Sequence, residues 1–73
     1  MIKLKDILNL FIEPITIMDD SSEEIILNLA ADCIEFASLY LSESLLNGKV
    51  TCIQNGAGGV QIFVVTKKEE ENE

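Results

Sequence analysis

Carboxylates are the residues of this 73-residue sequence whose type and spacing could do chemistry. Asp19, Asp20, Glu23 and Glu24 lie close together in the chain. Paired carboxylates can act as general acid and base, and clustered ones can bind hard cations. An EF-hand loop, however, needs acids at alternate positions and a central glycine, and this cluster has neither. We therefore interpret it as a solvated turn and expect no bound metal.

The sequence lacks the residues on which most other catalytic sites depend. It has no His, and its five basic residues are all Lys. Without imidazole, serine and cysteine nucleophiles lack their usual general base, and zinc sites lack a common ligand. Cys33 and Cys52 have no metal-ligand spacing and lie among apolar residues, so we expect buried, reduced thiols. We predict a protein that is not an enzyme and uses no cofactor.

A glycine-rich stretch at residues 55–59 could be mistaken for a phosphate-binding loop. No Lys-Ser or Lys-Thr pair follows it, and it leads into a strand pattern rather than a helix, so a hairpin connection is the simpler interpretation. An alternative remains, in which an oligomer holds a nucleotide-like ligand at subunit junctions, with help from Lys49 or Lys67. The residues of this alternative site would be Asn55, Gly56, Gly58, Gly59 and Lys49.

The net charge narrows the class of partner. Thirteen acidic residues against five basic ones give a formal charge of −8, which argues against direct binding to nucleic acid. Acidity keeps a small domain soluble, and it also attracts a basic protein surface. The candidate partner contacts are Asp19, Asp20, Glu23, Glu24, Asp32, Glu35 and Glu43.

Apolar periodicity predicts the elements that carry these residues. Leu4, Ile7, Leu8 and Phe11 form a helical stripe, and Pro14 should end that helix near residue 12. Residues 15–18 and 24–29 are strand-like runs around the acidic turn, which predicts a hairpin. Residues 50–54 and 60–66 predict a second hairpin around the glycines.

The segment from residue 30 to residue 47 is ambiguous. A helical stripe favours one long helix that ends at Asn47 and Gly48, with Gly48 as a left-handed cap. Alternatively, the second strand continues to Phe36 and only residues 39–47 are helical. The predicted order is α-β-β-α-β-β.

We expect an α+β fold, with a four-stranded antiparallel or mixed sheet and two helices on one face. Residues 1–66 would form a single domain, and residues 67–73 a disordered acidic tail. The last strand is apolar on both faces, with Phe63 and Val65 opposite Val60, Ile62 and Val64. Such a strand is central, or its outer face is covered by another subunit, and we expect a homodimer or a higher oligomer.

No segment approaches the ~20 apolar residues of a membrane span, so we expect no membrane contact and a cytoplasmic location.

The stretches 3–11, 15–17, 46–53 and 60–64 together resemble small uncharacterised proteins from phages and prophages of Firmicutes. The resemblance implies a mobile element in a bacterial host cell and, by analogy, a binding protein that inhibits a host or defence factor, as anti-CRISPR proteins do. It also implies two alternatives, a sponge for nucleotide signals and a dimeric accessory phage protein.

Overall fold

The computed structural model describes residues 2–65. It contains three short α-helices and a four-stranded mixed sheet, which confirms the α+β class. The helices are α1 (Leu4–Ile7), α2 (Ala37–Tyr40) and α3 (Glu43–Leu46). The strands are β1 (Ile15–Asp19), β2 (Ile25–Leu29), β3 (Lys49–Gly56) and β4 (Gly59–Val65). The expected tail, residues 67–73, lies outside the described residues.

The sheet has the order β2-β1-β4-β3, so the two hairpins lie side by side. β1 and β4 meet as parallel neighbours at its centre, with Ile17 opposite Ile62. The pairs β1–β2 and β3–β4 are antiparallel. The interpretation of β4 as a central strand is therefore confirmed.

The core lies between one face of the sheet and the helical segments. Alternate residues of β1 and β4 face inward, and Ile17, Ile62 and Val64 are fully buried. The helical segments contribute buried side chains to the same cluster, which are Leu4, Ile7, Leu8, Ile34, Ala37 and Leu46. Alternating burial along a strand with helices on one side is the layering that the sequence predicts.

The first helix is shorter than predicted. α1 ends at Ile7, a 3-10 turn spans Leu8–Leu10, and Phe11 is already extended. The predicted stripe is buried at Leu4, Ile7 and Leu8 and half-buried at Phe11, because the 3-10 turn keeps Leu8 on the core side. The amide of Lys3 donates a hydrogen bond of 3.0 Å to the Asp6 carboxylate, which caps the helix start.

The prediction of one long helix over residues 30–47 is wrong. The segment contains a 3-10 helix at Ala31–Phe36, then α2, an extended residue at Leu41, and α3. The break occurs because Ser42 is extended and acts as an N-cap, its hydroxyl accepting a 3.2 Å hydrogen bond from the Leu45 amide. The alternative in which the second strand continues to Phe36 is also wrong, since β2 ends at Leu29.

Two predictions about glycines need correction. Gly48 does not adopt the left-handed conformation; it is buried, donates to the Leu45 carbonyl, and accepts a hydrogen bond from the Leu4 amide. Gly56 pairs with Gly59, so the expected five-residue connection is a turn of two residues, Ala57 and Gly58. Gly59, with φ of 144°, is the one described glycine with positive φ.

Within residues 2–65, no helix has the length and apolar character needed to cross a bilayer.

Candidate functional site

The acidic residues singled out in the sequence do not form one cluster. Asp20, Glu23 and Glu24 lie at the turn between β1 and β2, whereas Asp32 and Glu35 follow the far end of β2. A five-residue strand is about 17 Å long, so β2 separates the two groups by roughly that distance. Glu43 begins α3, in the helical layer. All six of these side chains are exposed.

Asp19 is not part of this exposed surface. It is 7% exposed, and its Oδ2 accepts hydrogen bonds from the Ser22 amide and from the hydroxyls of Ser21 and Ser22, at 2.8 to 3.1 Å. When a carboxylate accepts several hydrogen bonds within a turn, these bonds replace the hydrogen bonds to water that it loses on burial. Asp19 therefore holds the β1–β2 turn, which explains why Glu23 can remain at a φ of 61° there.

Asp20 is exposed but anchored to the sheet. Its Oδ1 accepts a 2.7 Å hydrogen bond from the hydroxyl of Thr51, which lies at a bulge in β3. Its amide also donates to the Val64 carbonyl at 2.8 Å. Glu23 and Glu24 are thus the carboxylates of this turn whose side chains remain available to a partner.

An open groove runs beside the second acidic group. Its volume is about 390 Å³, and its lining comes from two segments that are distant in sequence. The lining residues are Asn9, Phe11, Ile12, Ala31, Asp32, Ile34 and Glu35. Ile34 is buried and Phe11 half-buried, so they form an apolar floor, whereas Asp32, Glu35 and Asn9 are exposed polar side chains. Among the described residues, Asp32 and Glu35 make no hydrogen bond with their side chains.

The exposed residue Ile12 extends this apolar surface outward. It is 91% exposed and lies two positions before Pro14, in the extended segment that follows the first 3-10 turn. A large aliphatic side chain that is almost fully in water beside a groove is a typical binding feature. The groove therefore combines an apolar floor, an exposed isoleucine and two carboxylates.

Sequence reasoning identified the two carboxylates of the groove but missed the rest of it. Asn9, Phe11, Ile12, Ala31 and Ile34 come together because the two 3-10 segments contact each other. The one feature of the sequence that could have indicated the groove is Ile12, which does not belong to the helical stripe of Leu4, Ile7, Leu8 and Phe11. An apolar residue off the stripe has no place in the core and so points to the surface.

The residues of the alternative ligand site do not meet within one chain. Lys49 begins β3, whereas Asn55 and Gly56 end it beside the turn. Seven residue steps along a strand correspond to about 24 Å, too far for a lysine side chain to span. Asn55, Gly56, Gly58 and Gly59 form a tight antiparallel hairpin end, and a site that includes Lys49 would need a second chain.

The cysteines are free thiols, but they are not the buried residues that we expected. Cys33 is half-buried and Cys52 is exposed. Cys52 lies opposite Phe63 on the edge strand β3, on the side of the sheet away from the core, which explains the exposure. Across residues 2–65, no group of three or more Cys, Asp or Glu side chains could hold a metal ion.

No protein-family model, curated protein or solved structure matches this chain.

Proposed function

We propose that this chain is a non-enzymatic binding protein whose acidic surface engages a positively charged protein. The groove between the two 3-10 segments is the observation that carries the proposal. It places Asp32 and Glu35 beside an apolar floor formed by Phe11 and Ile34. Lysine and arginine have apolar stems and charged ends, so they are the side chains that such a groove fits.

In this proposal a lysine or arginine of the partner enters the groove. Its aliphatic stem covers Phe11 and Ile34, and its cationic end lies between the carboxylates of Asp32 and Glu35. Arginine is favoured over lysine, because its planar guanidinium donates several hydrogen bonds at once and sheds water more readily. The amide oxygen of Asn9 offers one more acceptor at the same groove.

The acidic turn has a separate role in the proposal. Glu23 and Glu24 lie about 17 Å from the groove, and this distance lets them attract a second basic region on the same partner. Exposed charges at the edge of an interface mostly accelerate association, and their effect falls with added salt. The turn carboxylates would steer the partner, and the groove would hold it.

Proteins that handle nucleic acids present basic surfaces of this kind, because they neutralise phosphates. A small acidic domain that covers such a surface blocks access to it. This chemistry agrees with the role that the phage resemblance implies, inhibition of a host or defence factor. We extend the proposal to that class of partner, in the cytoplasm of a bacterial host.

A fluorescent hexa-arginine peptide, standing in for the basic surface, provides the test. The double variant D32N/E35Q removes the carboxylates of the groove, and E23Q/E24Q removes the same charge at the acidic turn. Fluorescence anisotropy should give a dissociation constant at least about fivefold weaker for the groove variant, with a change below about twofold for the turn variant. Equal losses for the two variants would reject the groove as the site. Absence of binding by the unaltered chain at about 0.05 M salt would reject the proposed function.

A further inference from the structure

The second face of the sheet carries no helix among the described residues. The helical segments all contribute to the core on the opposite face. Most of the outward side chains of the four strands form two adjacent rows, which we call the open face. The apolar row is Ile25, Met18, Phe63 and Cys52, and the polar row is Asn28, Thr16, Gln61 and Gln54.

The apolar row crosses the whole sheet. Met18 on β1 lies opposite Ile25 on β2 and Phe63 on β4, and Phe63 lies opposite Cys52 on β3. Met18 and Phe63 are half-buried, Cys52 is exposed, and Ile25 is 59% exposed. Beyond this row, on the same side of the sheet, half-buried Val65 on β4 lies opposite exposed Lys49 on β3. The sheet therefore presents a continuous apolar band to the outside.

The polar row is already hydrogen-bonded within the chain. The hydroxyl of Thr16 donates to the amide oxygen of Asn28 at 2.8 Å, and the amide of Gln54 donates to Gln61 at 2.8 Å. Burying a polar side chain is costly when it loses its partners. Because these side chains pair across strands, another surface can cover this row with a smaller penalty.

The two rows contain no charged residue, although the chain has a net charge of −8. The solvated face of a sheet normally carries polar and charged side chains, whereas the centre of a protein interface is depleted of charge. The open face thus has the composition of an interface centre. It is also separate from the acidic groove, which lies against the helical segments.

The distribution of charge and the symmetry of a dimer indicate which partner can cover the open face. Among the described residues, the exposed carboxylates lie on α1, in the segment before β1, on the turn, beside the groove and on α3. None belongs to the two rows, so two copies can meet there without opposing carboxylates at the centre of contact. A two-fold axis parallel to the apolar row, or parallel to the strands, places that row against its own copy. An isologous interface requires this self-complementarity. Residues 66–73 of the sequence include no apolar side chain that could cover the row instead.

We propose that a second copy of this chain packs on the open face, sheet against sheet, with Met18 and Phe63 at the centre. Four strands span roughly 20 Å, and two rows that lie about 7 Å apart cover roughly 14 Å along the strands, so each copy offers on the order of 300 Å². Such an area is small for a stable dimer and gives a weak one. The acidic rims repel each other, so added salt strengthens the dimer, which is opposite to its effect on the basic partner.

Sedimentation equilibrium over a concentration series tests this proposal. The unaltered chain should shift from monomer toward dimer with concentration, and the shift should be larger at about 1 M than at about 0.1 M salt. I25D places a charge in the apolar row on an edge strand and should weaken association at least tenfold. The matched control L39D changes a side chain that is 79% exposed on α2, and association should not change. A chain that is monomeric at every concentration and salt, or equal losses for I25D and L39D, would overturn the proposal.

The thiol of Cys52 gives a second measurement that does not depend on the exact orientation of the two copies. Its rate of reaction with a maleimide should fall several-fold as the chain is concentrated, and I25D should abolish that fall. A rate that does not depend on concentration would contradict the interface. The peptide titration described above can be repeated on I25D, which should keep its affinity for hexa-arginine. Loss of dimerisation and loss of partner binding are therefore separate outcomes.

Discussion

The carbonyl oxygen of Pro14 lies so close to Gly59 that a Cβ on this glycine would overlap it. The same oxygen accepts a 2.9 Å hydrogen bond from the amide of Val60. This contact joins the start of β1 to the start of β4, the two parallel strands at the centre of the sheet. Because Pro14 has no amide hydrogen, its carbonyl oxygen is its only backbone group that can form a hydrogen bond between the two strands.

Gly59→Ala should therefore destabilise the fold by at least about 2 kcal/mol, because the new methyl group meets backbone atoms and φ is strained. Urea denaturation followed by circular dichroism measures the effect. The matched control is Gly58→Ala, where a Cβ would meet nothing within 4 Å and stability should change by less than about 0.5 kcal/mol. Similar losses at both positions would contradict the close contact at Gly59.

The turn between β1 and β2 depends on the Asp19 carboxylate, which accepts from Ser21 and Ser22. Asp19→Ala leaves these donors without their acceptor and should cost about 2 kcal/mol of unfolding free energy. Glu24→Ala removes an exposed carboxylate at the same turn that accepts no hydrogen bond there, and it should cost less than about 0.5 kcal/mol. Thermal denaturation of both variants checks the contrast, and a D19A variant as stable as E24A would show that the turn does not need this carboxylate.

Tyr40 is the single tyrosine of the chain, so its ionisation can be followed by absorbance. Desolvation by neighbouring atoms raises the pKa of its phenol above the ordinary 10.0, and Cys33 and Asp32 raise it further. The folded state therefore holds this proton more tightly than the unfolded state does. The resulting stabilisation is present below pH 10 and is lost as the pH rises through the folded pKa.

The absorbance titration should give a midpoint above 10.0 in the folded chain, and Cys33→Ala should move it downward. The variant Y40F should also lose less stability than the unaltered chain as the pH rises past that midpoint. A midpoint at or below the ordinary value would place Tyr40 away from Cys33 and Asp32.

The sequence predicted the parts of the fold that depend on local pattern. The alternation over residues 15–18 and the apolar run over residues 60–66 predicted β1 and β4, and the structure shows that Ile15 and Ile17 and Val60, Ile62 and Val64 form their buried faces. The sequence did not predict that these two strands pair in parallel. The pairing joins residues more than forty positions apart, and a strand shows the same alternation of apolar residues whichever strand it pairs with. The sequence did not predict the break at Ser42, because the helical stripe continues across it. The Ser42 hydroxyl nevertheless caps the start of a new helix, α3.

The candidate site was predictable only in part. Asp32 and Glu35 stand out by charge alone, but the groove needs Phe11 and Ile34 beside them. The contact between the two 3-10 segments that creates this floor has no local signature. The opposite error occurred at Asp19, where residue type predicted a surface contact and the turn instead buried the carboxylate.

The measurement that tests the central claim most directly is a titration of the isotopically labelled chain with hexa-arginine, followed by amide chemical shifts. Binding in the groove predicts that the largest shifts occur at residues 9–12 and 31–35, and that they shrink in D32N/E35Q and at high salt. Shifts confined to the open face, or spread evenly over every exposed carboxylate, would contradict an acidic groove that recognises a basic partner.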